Sequence, residues 1–113
     1  MGIIFLGNDG KVVGTIGLKT ARVFLNMTRL VQSELGKRVP SGFEPLISDE
    51  ILIDEDRFVE FVDEFFRQAE HDGKFRYFSY WAEEMAGMYE NITGTTPERK
   101  MSGVENFTVR RYR

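Results

Sequence analysis

Between Asp54 and Gly73 the chain reads DEDRFVEFVDEFFRQAEHDG, with eight acidic residues, two arginines and the only histidine of the sequence. Carboxylates and histidine at this density are the raw material of metal centres and of acid–base catalysis, so their spacing decides. A carboxylate-bridged metal site built on helices uses Glu-x-x-His with both side chains turned inward. Three residues before His71 stands Gln68, not an acid. The run DEDR also lacks the glycine and the ligand spacing of a calcium loop. No metal and no cofactor is expected from these residues.

Other chemistries find no better footing. Ser33, Ser41, Ser48, Ser79 and Ser102 have no G-x-S-x-G setting, and the chain has no cysteine at all. Nothing singles out a catalytic pair from the eighteen acids. Gly7, Gly10 and Gly14 do not match G-x-G-x-x-G, and no G-K-[ST] follows them. No catalytic residue is assigned. A small enzyme with an unrecognised pocket stays open as a rival reading without positive support.

The elements that hold these residues follow from periodicity. Two apolar runs around Asn8-Asp9-Gly10 predict a hairpin of Ile3–Leu6 and Lys11–Thr15, because that turn chemistry supplies left-handed backbone positions. Ala21, Phe24, Leu25, Thr28, Val31 and Leu35 recur at helical steps, with Thr20 as expected N-cap and Gly36 as expected C-cap. KRVPSGFEPL reads as a loop, and ISDEILI as either a strand or an extended lead-in.

In the opening stretch, Asp54 is the expected N-cap, with Glu55 and Asp56 favouring the positive end of the helix dipole. Phe58, Phe61, Val62, Phe65, Phe66 and Ala69 fill one stripe, and Gly73 is the expected end. The carboxylates of Glu60, Asp63 and Glu64 point the other way. A third helix is predicted from Phe75 to Ile92, in preference to a strand in FRYFSYW, with Trp81 on the edge of its buried stripe. Phe58, Phe61, Phe65, Phe78 and Met85 are expected to meet between the last two helices. NFTVRRYR reads as a closing strand or a basic tail. Together these predict one α+β domain over residues 1–113, an N-terminal β-hairpin, joined or not by a C-terminal strand, packed on about three α-helices.

Composition bounds the function classes. At 113 residues, 42% hydrophobic, the chain is long enough for its own core. The N-terminus lacks a basic region before a short apolar run, and no apolar stretch approaches a membrane span, so a cytoplasmic protein without membrane contact is expected. Net charge is −3, but residues 1–43 carry +4, residues 44–72 carry −9, and residues 73–113 carry +2. A sequence pI near 5.2 argues against direct nucleic-acid binding.

The −9 block is the strongest signal. Its bland reading is a solvated helix face; its functional reading is a docking surface for a basic protein. The concrete expectation is a small acidic inhibitor, of the immunity type, that covers the active site of a basic nuclease toxin. Asp56, Glu60, Asp63 and Glu64 are the expected contact residues, with Tyr77 and Tyr80 as amphipathic anchors. A phage or accessory structural subunit is a further rival, and no oligomeric state is assigned.

Overall fold

The computed structural model describes residues 2–36, 39–46 and 49–97. Strands β1 (Gly2–Leu6) and β2 (Val12–Gly17) pair antiparallel across the expected turn. Gly10 takes φ 81°, and Asp9 Oδ1 accepts the Lys11 amide hydrogen bond at 3.0 Å. The register places Gly14 opposite Phe5 and Val12 opposite Leu6, so Val13 is an extra residue in a bulge.

The hairpin is half of the sheet. Strand β3 (Phe43–Pro45) lies within the segment read as a loop, and the last four residues of ISDEILI form strand β4 (Glu50–Ile53). The order is β2-β1-β4-β3, with β4 parallel to β1 and antiparallel to β3. β3 escapes a periodicity reading because three residues show no period, and Pro45 is tolerated only because β3 is an edge strand. Beside it, Gly42 at φ 83° meets the start of the next helix. A Cβ there would stand 2.7 Å from the Asp54 carbonyl oxygen.

Helix α1 (Leu18–Leu35) follows β2 directly. Its N-cap is Gly17 with no side-chain hydrogen bond, so Thr20 is not the cap. β2 runs straight into the helix and leaves Thr20 inside the first turn. Helix α2 (Glu55–Ala69) begins as expected, with Asp54 accepting the Arg57 amide hydrogen bond at 3.3 Å. It ends four residues before Gly73, which instead opens a 3-10 helix, Gly73–Phe78. The third helix, α3 (Ser79–Thr93), is therefore shorter than expected. Three residues per turn stack Phe75 and Phe78 on one side, which a continuous α-helix would splay. Gly94 closes α3 in the left-handed conformation.

The described residues make one α+β domain with three α-helices on one face of the sheet. Its core holds two aromatic groups. Phe5, Phe24, Phe43 and Phe58 meet over the sheet at centroid distances of 5.2 to 6.2 Å. Phe61, Phe65, Phe66, Phe75, Phe78 and Trp81 meet between α2, the 3-10 helix and α3. Phe58 stacks on Phe43 of β3 from within the same buried cluster as Phe61, Phe65 and Met85, and Trp81 is wholly buried rather than marginal. α3 also closes on β2: a Cβ on Gly14 would stand 2.7 Å from Met88 Cγ. The C-terminal strand considered above lies outside the described residues.

Candidate protein-binding surface

The six candidate contact residues divide into three groups. Asp56 and Glu60 are exposed on the outer face of α2, opposite its phenylalanine stripe. Asp63 and Glu64 are half-buried and already engaged. Tyr89 Oη donates a hydrogen bond to Asp63 Oδ1 at 2.9 Å, tying α3 to α2. Burial of the Tyr89 phenol, seconded by that hydrogen bond, pushes its pKa up to about 12. Glu64 is ion-paired with Arg67 and accepts from Gln68 Nε2 at 2.9 Å. Tyr77, on the 3-10 helix, is 80% exposed, and Tyr80, on α3, is 37% exposed.

The remaining acids of the block show why so many carboxylates are tolerated there. Asp54 caps α2 and pairs with Arg57 at 3.6 Å. Glu55 Oε2 accepts the Asn8 amide hydrogen bond at 2.6 Å, and the Glu55 amide donates back to Asn8 Oδ1 at 3.4 Å. This reciprocal pair fastens the β1–β2 turn to the start of α2. Asp72 caps the 3-10 helix through the Lys74 amide at 3.1 Å. Several charges in the −9 block are thus structural, and the face they leave is narrower than the count suggests.

A second acidic contribution comes from α3. Its turns toward the core carry Trp81, Ala82, Met85, Ala86, Met88 and Tyr89, and the remaining arc carries Glu83, Glu84 and Glu90. α3 has no lysine or arginine. Block counting missed this because those three glutamates share their third of the chain with seven basic residues, most of them far along the sequence. A helical wheel of α3 alone contains the signal.

Little here supports reaction chemistry. Among the described residues no group of three or more His, Asp or Glu is placed to hold a metal ion. His71 is exposed at the end of α2, where its amide donates to the Gln68 carbonyl. A shallow depression of about 330 Å³ is lined by Arg29, Gln32, Ser33 and Gly36, a set that pairs no nucleophile with a base. No described helix is long and apolar enough to cross a membrane. No protein-family model, curated protein or solved structure matches this chain.

Proposed function

We propose that this protein is a stoichiometric protein-binding module whose acidic helical face covers a basic surface of its partner. The most concrete form is an immunity-type inhibitor that takes the place of substrate phosphates in a nuclease toxin. One observation supports the reading above others: Asp56 and Glu60 stand exposed on the outer arc of α2, and α3 carries three glutamates and no lysine or arginine. A face so unbalanced gains association rate toward a positive partner through electrostatic steering. Asp56 and Glu60 are the contact residues of α2, with Tyr77 as an exposed aromatic anchor.

The test begins with capture of the native partner and proceeds to a titration with purified components. Asp56→Lys with Glu60→Lys alters two exposed side chains, so folding should change by less than about 0.5 kcal/mol. Affinity for a basic partner should fall by roughly tenfold or more, with a flatter dependence on salt. Undiminished affinity in the double variant would reduce this face to solvated surface.

A further inference from the structure

Strand β2 is an outer strand of the sheet, and the pairing decides which of its peptide groups face outward. The Ile4 amide donates to the Asp49 carbonyl at 2.9 Å, so the peptide groups of Ile4 serve β4. In an antiparallel pair, residues that bond to the neighbouring strand alternate with residues that do not. Ile3 and Phe5 therefore bond to Ile16 and Gly14, and Thr15, opposite Ile4, turns its N–H and C=O away from β1. The same alternation turns the Gly17 N–H outward. Among the described residues no strand lies beyond them.

Such an edge is a template for a further strand, and a second copy of β2 fits it by symmetry. Antiparallel pairing about a two-fold axis at Thr15 would join the two Thr15 residues by a mutual pair of hydrogen bonds. Val13 and Gly17 stand two residues to either side of Thr15. Each Gly17 N–H would therefore meet the Val13 carbonyl of the other copy. β2, with the sequence VVGTIG, has neither a charge nor a proline to deter this, and its bulge at Val13 lies at one end.

That Val13 carbonyl is already taken. Asn91, on α3, donates to it from Nδ2 at 2.8 Å. The helix reaches the strand edge because Met88, one turn earlier, seats against Gly14, where glycine leaves room for it. The Asn91 amide uses the outward side of the carbonyl and stands where an incoming Gly17 would lie.

We propose that Asn91 guards the β2 edge: by capping the Val13 carbonyl, it keeps the strand from pairing with β2 of a second copy. With Asn91 in place, pairing retains only the bonds between the two Thr15 residues. Without it, the bonds at both ends become available. A contact that merely fastened α3 to the sheet would affect stability when lost and leave self-association unchanged.

Sedimentation equilibrium of the purified full-length chain tests this without any partner, and so independently of the acidic face. Asn91→Ala should self-associate roughly tenfold or more tightly than wild type, since backbone bonds at both ends are regained. Circular dichroism should show the fold intact. Thr15 is exposed and would stand directly opposite its counterpart, where like charges repel and opposite charges attract. Thr15→Lys or Thr15→Glu, each added to Asn91→Ala, should return association to the wild-type level. An equimolar mixture of those two double variants should associate again. Asn91→Ser, too short to reach the carbonyl, gives the same comparison if Asn91→Ala does not fold. Wild-type association in the folded Asn91 variant would overturn the proposal. So would association indifferent to charge at Thr15, or a mixture that associates no better than its components.

Discussion

The two aromatic groups of the core differ in how far along the chain their members lie. Phe5, Phe24, Phe43 and Phe58 come from four elements and meet only once β4 has paired with β1. Phe61, Phe65, Phe66, Phe75, Phe78 and Trp81 fall within one short stretch and need only α2, a 3-10 turn and α3. The first group therefore carries loop-closure entropy that the second largely avoids. α2 belongs to both, giving Phe58 to the sheet side and its other phenylalanines to α3. The difference teaches that one helical stripe can serve a distant assembly and a local one, and that only the local one shows as periodicity.

The largest test of this contrast uses one buried ring from each group. Phe65→Ala and Phe5→Ala should each destabilise by about 3–5 kcal/mol in chemical denaturation, since both rings are almost wholly buried. Their kinetics should part. Phe65→Ala should mainly slow refolding, because its contacts are local and form early, whereas Phe5→Ala should mainly speed unfolding. The same partition for both variants would break the comparison.

A smaller effect probes the seam between the groups. Trp81 Nε1 donates to Thr28 Oγ1 at 2.8 Å, and Thr28 Oγ1 donates to the Phe24 carbonyl at 3.0 Å. Thr28→Val keeps the shape but leaves the indole N–H unpaired in the core, at a cost of about 1–3 kcal/mol. Thermal unfolding of that variant measures it. Smaller again is the cap of the helix that the groups share. Asp54→Ala should cost about 1 kcal/mol, and Asp54→Ser should recover most of it. No loss on removing the carboxylate would show that packing alone starts α2.

The finest effect lies in the Tyr89–Asp63 contact beside the second group. The folded pKa of Tyr89 stands above the value of about 10 for an unfolded tyrosine, pushed up to about 12 mainly by burial. The group's contribution to stability is thus fully present below about pH 10 and is lost as pH rises toward about 12. Ultraviolet titration should show a late phenolate that is absent in Tyr89→Phe and earlier in Asp63→Asn. Identical curves for wild type and Asp63→Asn would remove the hydrogen bond as a cause.

The acidic face shows what pattern reading can and cannot reach. The outward direction of Asp56 and Glu60 follows from 3.6 residues per turn, and the structure keeps it. The engagement of Glu64 by Arg67 and Gln68 was within reach too, since those partners lie three and four residues away. The capture of Asp63 by Tyr89 was not, because it depends on how α3 lies across α2. The same holds for Glu55, whose carboxylate is held by Asn8, 47 residues earlier.

By itself the sequence determined the hairpin turn, the stripe of α2, its Asp54 cap and the sign of the charge block. Each depends on neighbours within a turn or two, where spacing and side-chain chemistry act without the rest of the molecule. Only the tertiary structure decided that β4 lies parallel to β1, that β3 exists, and that the 3-10 helix replaces the first turn of α3. It also decided that Tyr89 holds Asp63 and Asn8 holds Glu55. In β1 the sequence Ile3-Ile4-Phe5-Leu6 is apolar on both faces, so alternation cannot say which side meets the helices. The strand pairing and the layer packed above it make that choice, and they leave Ile4 and Leu6 on the side away from the helices.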